Sequence, residues 1–174
     1  MLILLTLVLS AGGWFAVGKY YVWTDIDVQR VNQQLEFYKQ KVMSEPNNAK
    51  ARVEFDKDGN LYVVDTGNQR VQVFDKDGKL VKIINGSPEG KGSSVLVNPR
   101  GIGIDSRGIV YIVSNLTHFV YGFDKNDMTG KSLFAFGGNG ESNSQFSLPN
   151  GLYVDENDQV YITDTTNQRV AIYR

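Results

Sequence analysis

The chain has 174 residues, with 18 Lys and Arg against 19 Asp and Glu, one histidine and no cysteine. A formal net charge of −1 lacks the basic excess with which nucleic-acid binders displace counterions, so no nucleic-acid partner is expected. The missing cysteines exclude disulfides, thiolate zinc sites and cysteine nucleophiles. His118, the lone histidine, excludes a multi-histidine metal cage within one chain.

Residues 1–18 carry no charged side chain, and apolar character continues through Tyr20, Tyr21, Val22 and Trp23 around Lys19. At about 1.5 Å per residue such a stretch crosses a hydrocarbon core, with Trp14, Tyr20, Tyr21 and Trp23 suited to an interface. Residues 1–23 are therefore expected to be a transmembrane anchor. A cleaved signal peptide competes, with small-residue sites at Ser10-Ala11-Gly12 and Ala16-Val17-Gly18, but no Lys or Arg precedes the apolar run. The expectation is a single-pass membrane protein with its β domain on the extracytoplasmic side, although the flanking charges are too mixed to set orientation.

Residues 24–46 change character. Val28, Val31, Leu35, Tyr38 and Val42 recur at spacings of 3, 4, 3 and 4, a helix seam that reads as an amphipathic stalk. Glu45-Pro46-Asn47-Asn48 ends it, because the residue before proline avoids the helical region. The seam serves either self-association as a coiled coil or docking on the chain's own β domain.

From residue 51 the chain repeats. Residues 53–75, 102–124 and 152–174 align without a gap at periods of 49 and 50, superposing Tyr62, Tyr111 and Tyr161; Asp56, Asp105 and Asp155; and Val71, Val120 and Val170. The first unit reads as strands at Arg52–Phe55, Leu61–Val64, Val71–Phe74 and Leu80–Ile84. The second unit adds an outer run at Leu133–Phe136. Four short antiparallel strands per unit, joined by Asp-Gly-type turns, form the pattern of a propeller blade.

DKDGNLYVVDTGNQRVQVFD and DENDQVYITDTTNQRVAIYR resemble the blade signature of the NHL-repeat β-propeller family. Pro99-Arg100-Gly101-Ile102 and Pro149-Asn150-Gly151-Leu152 are similar to its entry into the innermost strand. The resemblance covers residues 51–174, in blades at about 51–86, 99–138 and 149–174. It implies a mainly β fold made of part of a six-bladed propeller, and the apolar run and helix seam place a long N-terminal transmembrane and amphipathic helix before it. Six blades at this period need roughly 300 residues, so three readings compete: a fragment of a longer frame, a homo-oligomer that completes the ring, or a half-ring capped by the N-terminal helix.

In the middle unit Ser114 replaces the Asp at 65 and 164, and Phe119 replaces the Arg at 70 and 169. The joint loss implies that Asp65 pairs with Arg70 and Asp164 with Arg169, as structural ties between the second and third strands. Asp56-Lys57-Asp58-Gly59-Asn60 starts like a calcium loop but has Leu61 where that loop needs glycine, and reads as a hairpin turn. Gly101-Ile102-Gly103 lacks the third glycine of a dinucleotide fingerprint and reads as a turn entering a strand. Asn85-Gly86-Ser87 and Asn115-Leu116-Thr117 are glycosylation sequons of little weight.

The aligned turns are expected to cluster on one face, where Asn68, Gln69, Thr117, His118, Asn167 and Gln168 are the candidate ligand-binding residues. That amide-rich, nearly uncharged surface suits protein, peptide or glycan contact. No catalytic residue, metal or cofactor is assigned, and the expected role is a non-catalytic binding or scaffold module. A structural subunit of a cell-envelope assembly is a second reading, although Leu5 stands where the similar pilin-like helices carry glutamate. A lyase-like propeller enzyme is a third, opposed by the single histidine.

Overall fold

In a computed structural model, residues 51–174 are described. The expected anchor at 1–23 and stalk at 24–46 lie outside the described residues. Among the described residues no helix is long and apolar enough to cross a membrane.

Among the described residues, eleven strands form three antiparallel sheets. Sheet I holds β1 (Ala51–Phe55), β2 (Leu61–Asp65), β3 (Arg70–Phe74) and β4 (Leu80–Ile84), in that spatial order. Sheet II repeats the order with β5 (Pro99–Ile104), β6 (Ile109–Ser114), β7 (Phe119–Asp124) and β8 (Ser132–Gly137). Sheet III has β9 (Pro149–Val154), β10 (Val160–Asp164) and β11 (Arg169–Tyr173). Within each sheet every strand is hydrogen-bonded to its neighbour in sequence, so every pairing is a local hairpin.

The turn from first to second strand is built the same way three times. Asp56 Oδ1 accepts from the amides of Asp58 and Asn60, and its Oδ2 accepts from the Tyr62 hydroxyl at 3.3 Å. Asp105 does the same with Arg107, Ile109 and Tyr111, and Asp155 with Asn157, Gln159 and Tyr161. An Asp side chain can satisfy backbone amides two and four residues on, which is why it nucleates tight turns. These carboxylates are therefore turn elements.

The sheets stack face to face. Tyr62, Val64, Val71 and Val73 of sheet I bury against Ile102, Val110, Ile112 and Phe123 of sheet II. Tyr111, Val113 and Val120, from the opposite face of sheet II, bury against Val160 and Ile162 of sheet III and Phe146 of the preceding loop. Alternation along each strand thus feeds two apolar layers, as expected when a sheet is covered on both sides.

Gly101-Ile102-Gly103 lies inside β5 and is not a turn, which corrects the sequence reading. A Cβ on Gly101 would stand 2.5 Å from the Leu152 nitrogen, and one on Gly103 would stand 2.7 Å from a Leu152 methyl. The glycines let β5 and β9 approach closely, a requirement set by the neighbouring sheet rather than by local backbone.

Candidate functional site

The second-to-third-strand turns are Thr66–Asn68, Asn115–Thr117 and the equivalent turn at 165–168. In each, the last turn residue is left-handed: Gln69 at φ 55°, His118 at 62° and Gln168 at 52°. The Thr66 hydroxyl donates to the Pro99 carbonyl, and Asn115 Nδ2 donates to the Pro149 carbonyl at 2.8 Å. The first two turns thereby abut the start of the next sheet's innermost strand, so turns and inner-strand entries share one end of the stack.

The structure brings Asp65 and Arg70 together, with Arg70 Nε donating to Asp65 Oδ2 at 2.9 Å. Arg169 Nε likewise donates to Asp164 Oδ2 at 2.8 Å. Asn68 donates to both Asp65 oxygens, and Asn167 to Asp164 Oδ2 and the Gly140 carbonyl. The amide nitrogens of Asn68 and Asn167 are thus held by the turn itself. In sheet II, Ser114 is fully buried and its hydroxyl exchanges hydrogen bonds with the Val97 backbone, a neutral substitute for the Asp–Arg tie.

Gln69 and Gln168 are exposed, and among the described residues no hydrogen bond directs their side chains. The Thr117 hydroxyl donates to the Ser114 carbonyl at 3.1 Å. His118 Nδ1 accepts from the Leu148 amide at 3.1 Å, which ties the turn to the loop before sheet III and fixes the proton of a neutral ring on Nε2. Of the six candidate residues, the two glutamines present the freest polar groups.

Both connections on this face are ordered by networks that sequence spacing did not indicate. Asn85 Oδ1 accepts from the Ser87 amide and hydroxyl, and its Nδ2 donates to the Gly90 and Gly92 carbonyls. Buried in this way, Asn85 is not available as a glycosylation acceptor. Arg169 also donates to the carbonyls of Glu141, Ser142 and Gln145, and Tyr173 to that of Asn143, pinning the 137–148 loop. The signal for Arg169 was its place in the repeat; its three carbonyl partners are distant in sequence.

At the opposite end, a cavity of about 320 Å³ is lined by Lys57, Asp105, Arg107, Lys125, Asp155 and Asp158, among others. Its charges are largely paired: Arg107 with Asp105 at 2.6 Å, Lys125 with Asp58 at 2.5 Å, and Asp158 with the Ser106 amide and hydroxyl. Among the described residues no group of three His, Asp or Glu is arranged to hold a metal ion.

Residues 52–74 and 146–173 match the NHL repeat model. These two segments are NHL repeats. No curated protein sequence matches the chain. Among solved structures, the NHL-containing region is similar to a Bacteroides thetaiotaomicron protein of unknown function, with a TM-score of 0.53 and 16% identity over 73% of this chain and 36% of that one. It is similar to a streptogramin B lyase, with a TM-score of 0.51 and 12% identity over 73% of this chain and 41% of the lyase. It also resembles an auxiliary nutrient binding protein from Bacteroides thetaiotaomicron, with a TM-score of 0.51 and 17% identity over 70% of this chain and 36% of that one. The chain spans about two fifths of the length of these structures. The similarities show a propeller-like, mainly β fold.

Proposed function

We propose that this NHL-repeat chain is a membrane-anchored, non-catalytic binding module whose second-to-third-strand turns contact a protein, peptide or glycan on the extracytoplasmic side. The observation that carries this reading is the division of labour on that face. Its charged turn residues are engaged in Asp65–Arg70 and Asp164–Arg169, while Gln69 and Gln168 stand exposed. Exposed amides on ordered turns offer both a donor and an acceptor without a charge to desolvate, which suits polar, uncharged partners. The resemblance to a nutrient binding protein is in keeping with that reading.

An enzyme is the second reading, suggested by the lyase among the similar folds. It would have to use His118, whose Nδ1 already accepts the Leu148 amide. A homo-oligomer that continues the sheet stack, or a structural role in an envelope assembly, is compatible with binding on this face.

The test is a peptide and glycan array probed with the detergent-solubilised full chain and with a Gln69→Ala/Gln168→Ala double variant. Retained partners that the double variant loses would support the module. Equal capture by both would move binding elsewhere, and turnover abolished by His118→Ala would establish the enzyme.

A further inference from the structure

The cavity at the first-to-second-strand turns is built by all three sheets. Phe55 and Lys57 come from sheet I and its turn, Ile104 and Arg107 from sheet II and its turn, and Asp155 and Glu156 from the turn of sheet III. Its mouth is open to solvent, since Arg107 is 66% exposed and Phe55 48% exposed. At about 320 Å³ it lies at the small end of ligand pockets.

Most of the charged residues lining it are committed. Asp56, Asp105 and Asp155 each hold amides of their own turn and a tyrosine hydroxyl. Arg107 Nη2 donates to Asp105 Oδ2 at 2.6 Å, and Lys125 Nζ to Asp58 Oδ2 at 2.5 Å. Asp158 accepts the Ser106 amide at 2.7 Å and the Ser106 hydroxyl at 2.5 Å. Lys57 and Glu156 are what is left. Both are exposed, and among the described residues neither side chain forms a hydrogen bond or an ion pair. They carry opposite charges and belong to sheets I and III, which pack on opposite faces of sheet II.

The contact between Ser106 and Asp158 shows what the Lys57 side of the cavity takes. Ser106, the residue after the turn aspartate, presents its amide to a carboxylate from the next sheet. Lys57 holds the same place after Asp56, and among the described residues its amide donates to no group. The residue of sheet II aligned with Asp158 is Gly108; the two share a left-handed backbone, at φ 61° and 88°, but glycine has no carboxylate to offer. No carboxylate of the next sheet therefore meets the Lys57 amide, and the Lys57 ammonium adds a charge where Ser106 has only a hydroxyl.

We infer that this cavity binds a zwitterionic dipeptide, with its carboxylate on the amide and ammonium of Lys57, its own ammonium on Glu156, and an apolar side chain against Phe55 and Ile104. Two extended residues reach about 7 Å, so one molecule meets charges set on different sheets, whereas a ligand of single charge satisfies only one of them. The site lies at the opposite end of the stack from Gln69 and Gln168 and is independent of the reading of that face.

Calorimetric titration of the detergent-solubilised full chain with alanyl-leucine tests the site, alongside N-acetyl-alanyl-leucine and alanyl-leucine amide, which each lack one charge. Alanyl-leucine is expected to bind. Each blocked form, and each of the variants Lys57→Gln and Glu156→Gln, should bind about tenfold more weakly, since a charge-assisted hydrogen bond is lost in each case. Both substituted side chains are exposed, so the urea midpoint should stay at the wild-type value, which separates lost binding from lost fold. The Gln69→Ala/Gln168→Ala variant should bind as the wild type does. Failure of alanyl-leucine to bind, equal binding of either blocked form, or unchanged binding in either variant would overturn the site. Binding lost in the Gln69→Ala/Gln168→Ala variant but kept in Lys57→Gln and Glu156→Gln would overturn it as well, and would move the dipeptide to the turn face with the proposed function left standing.

Discussion

Arg70 and Arg169 occupy the same position in the repeat, yet they do different amounts of structural work. Among the described residues Arg70 makes one side-chain hydrogen bond, to Asp65, and both groups are partly exposed. Arg169 makes four, and its partner Asp164 is fully buried. Arg169→Ala strands a buried carboxylate and frees a loop, and is expected to cost about 3 kcal/mol, whereas Arg70→Ala should cost about 1 kcal/mol. Urea unfolding of the two variants measures the difference, and equal losses would mean that the loop contacts add nothing. Burial pushes the Asp164 carboxyl up, but the Ser147 amide, Asn167 and Arg169 more than offset this and hold its pKa below the usual carboxylate range. A folded-state pKa lowered in this way contributes stability that is present above the ordinary value of about 4 and is lost as pH falls through the folded value. Wild-type stability should therefore decline on acidification below about pH 4. Asp164→Asn should be less stable at neutral pH and show a shallower decline, in a denaturation series from pH 7 to pH 2.

At the scale of the element, much of the fold is legible because each sheet is assembled from neighbours in sequence. The Asp turns, the Tyr hydroxyl returning to the Asp, and the Asp–Arg pairs all close within six residues, so the repeat alignment exposes them directly. Contacts between sheets have no such local signature. The buried Lys82 Nζ donates to the Asp124 carbonyl at 3.0 Å, and Ser106 to Asp158, and neither residue type announces its partner. The same holds at the candidate sites: the exposed glutamines follow from the turn alignment, whereas the uncommitted Lys57 and Glu156 emerge only when the three sheets are set around one cavity. Gly101 shows the consequence, since its local sequence suggests a turn while its function is to admit β9. Gly101→Ala should lower stability by about 1–3 kcal/mol through forced separation of the inner strands, measurable as a fall in the urea midpoint. An alanine tolerated without loss would mean that β5 and β9 can part at no expense.

At the scale of the whole molecule, the repeat register identifies a surface that is buried in two sheets and open in the third. Val71 and Val120 are 0% exposed because the following sheet covers them, whereas the aligned Val170 is 57% exposed, with Ile172 at 58% and Tyr153 at 64% beside it. Burying one such side chain contributes about 1.5–3 kcal/mol, and contiguous apolar surface of this kind marks an interaction site. The surface presents a sheet face with the register that sheets I and II already use for stacking, so its expected cover is another antiparallel sheet of the same kind, supplied by a second copy in a preparation of this chain alone. Val170→Glu places a charge at the centre of the face and leaves the two internal layers untouched. Sedimentation of the detergent-solubilised full chain should show concentration-dependent association that Val170→Glu abolishes, with the urea midpoint of the monomer within about 0.5 kcal/mol of wild type, as for surface substitutions generally. Association that persists unchanged in the variant would place the contact elsewhere. A strictly monomeric wild type would show that two copies do not stack through this face.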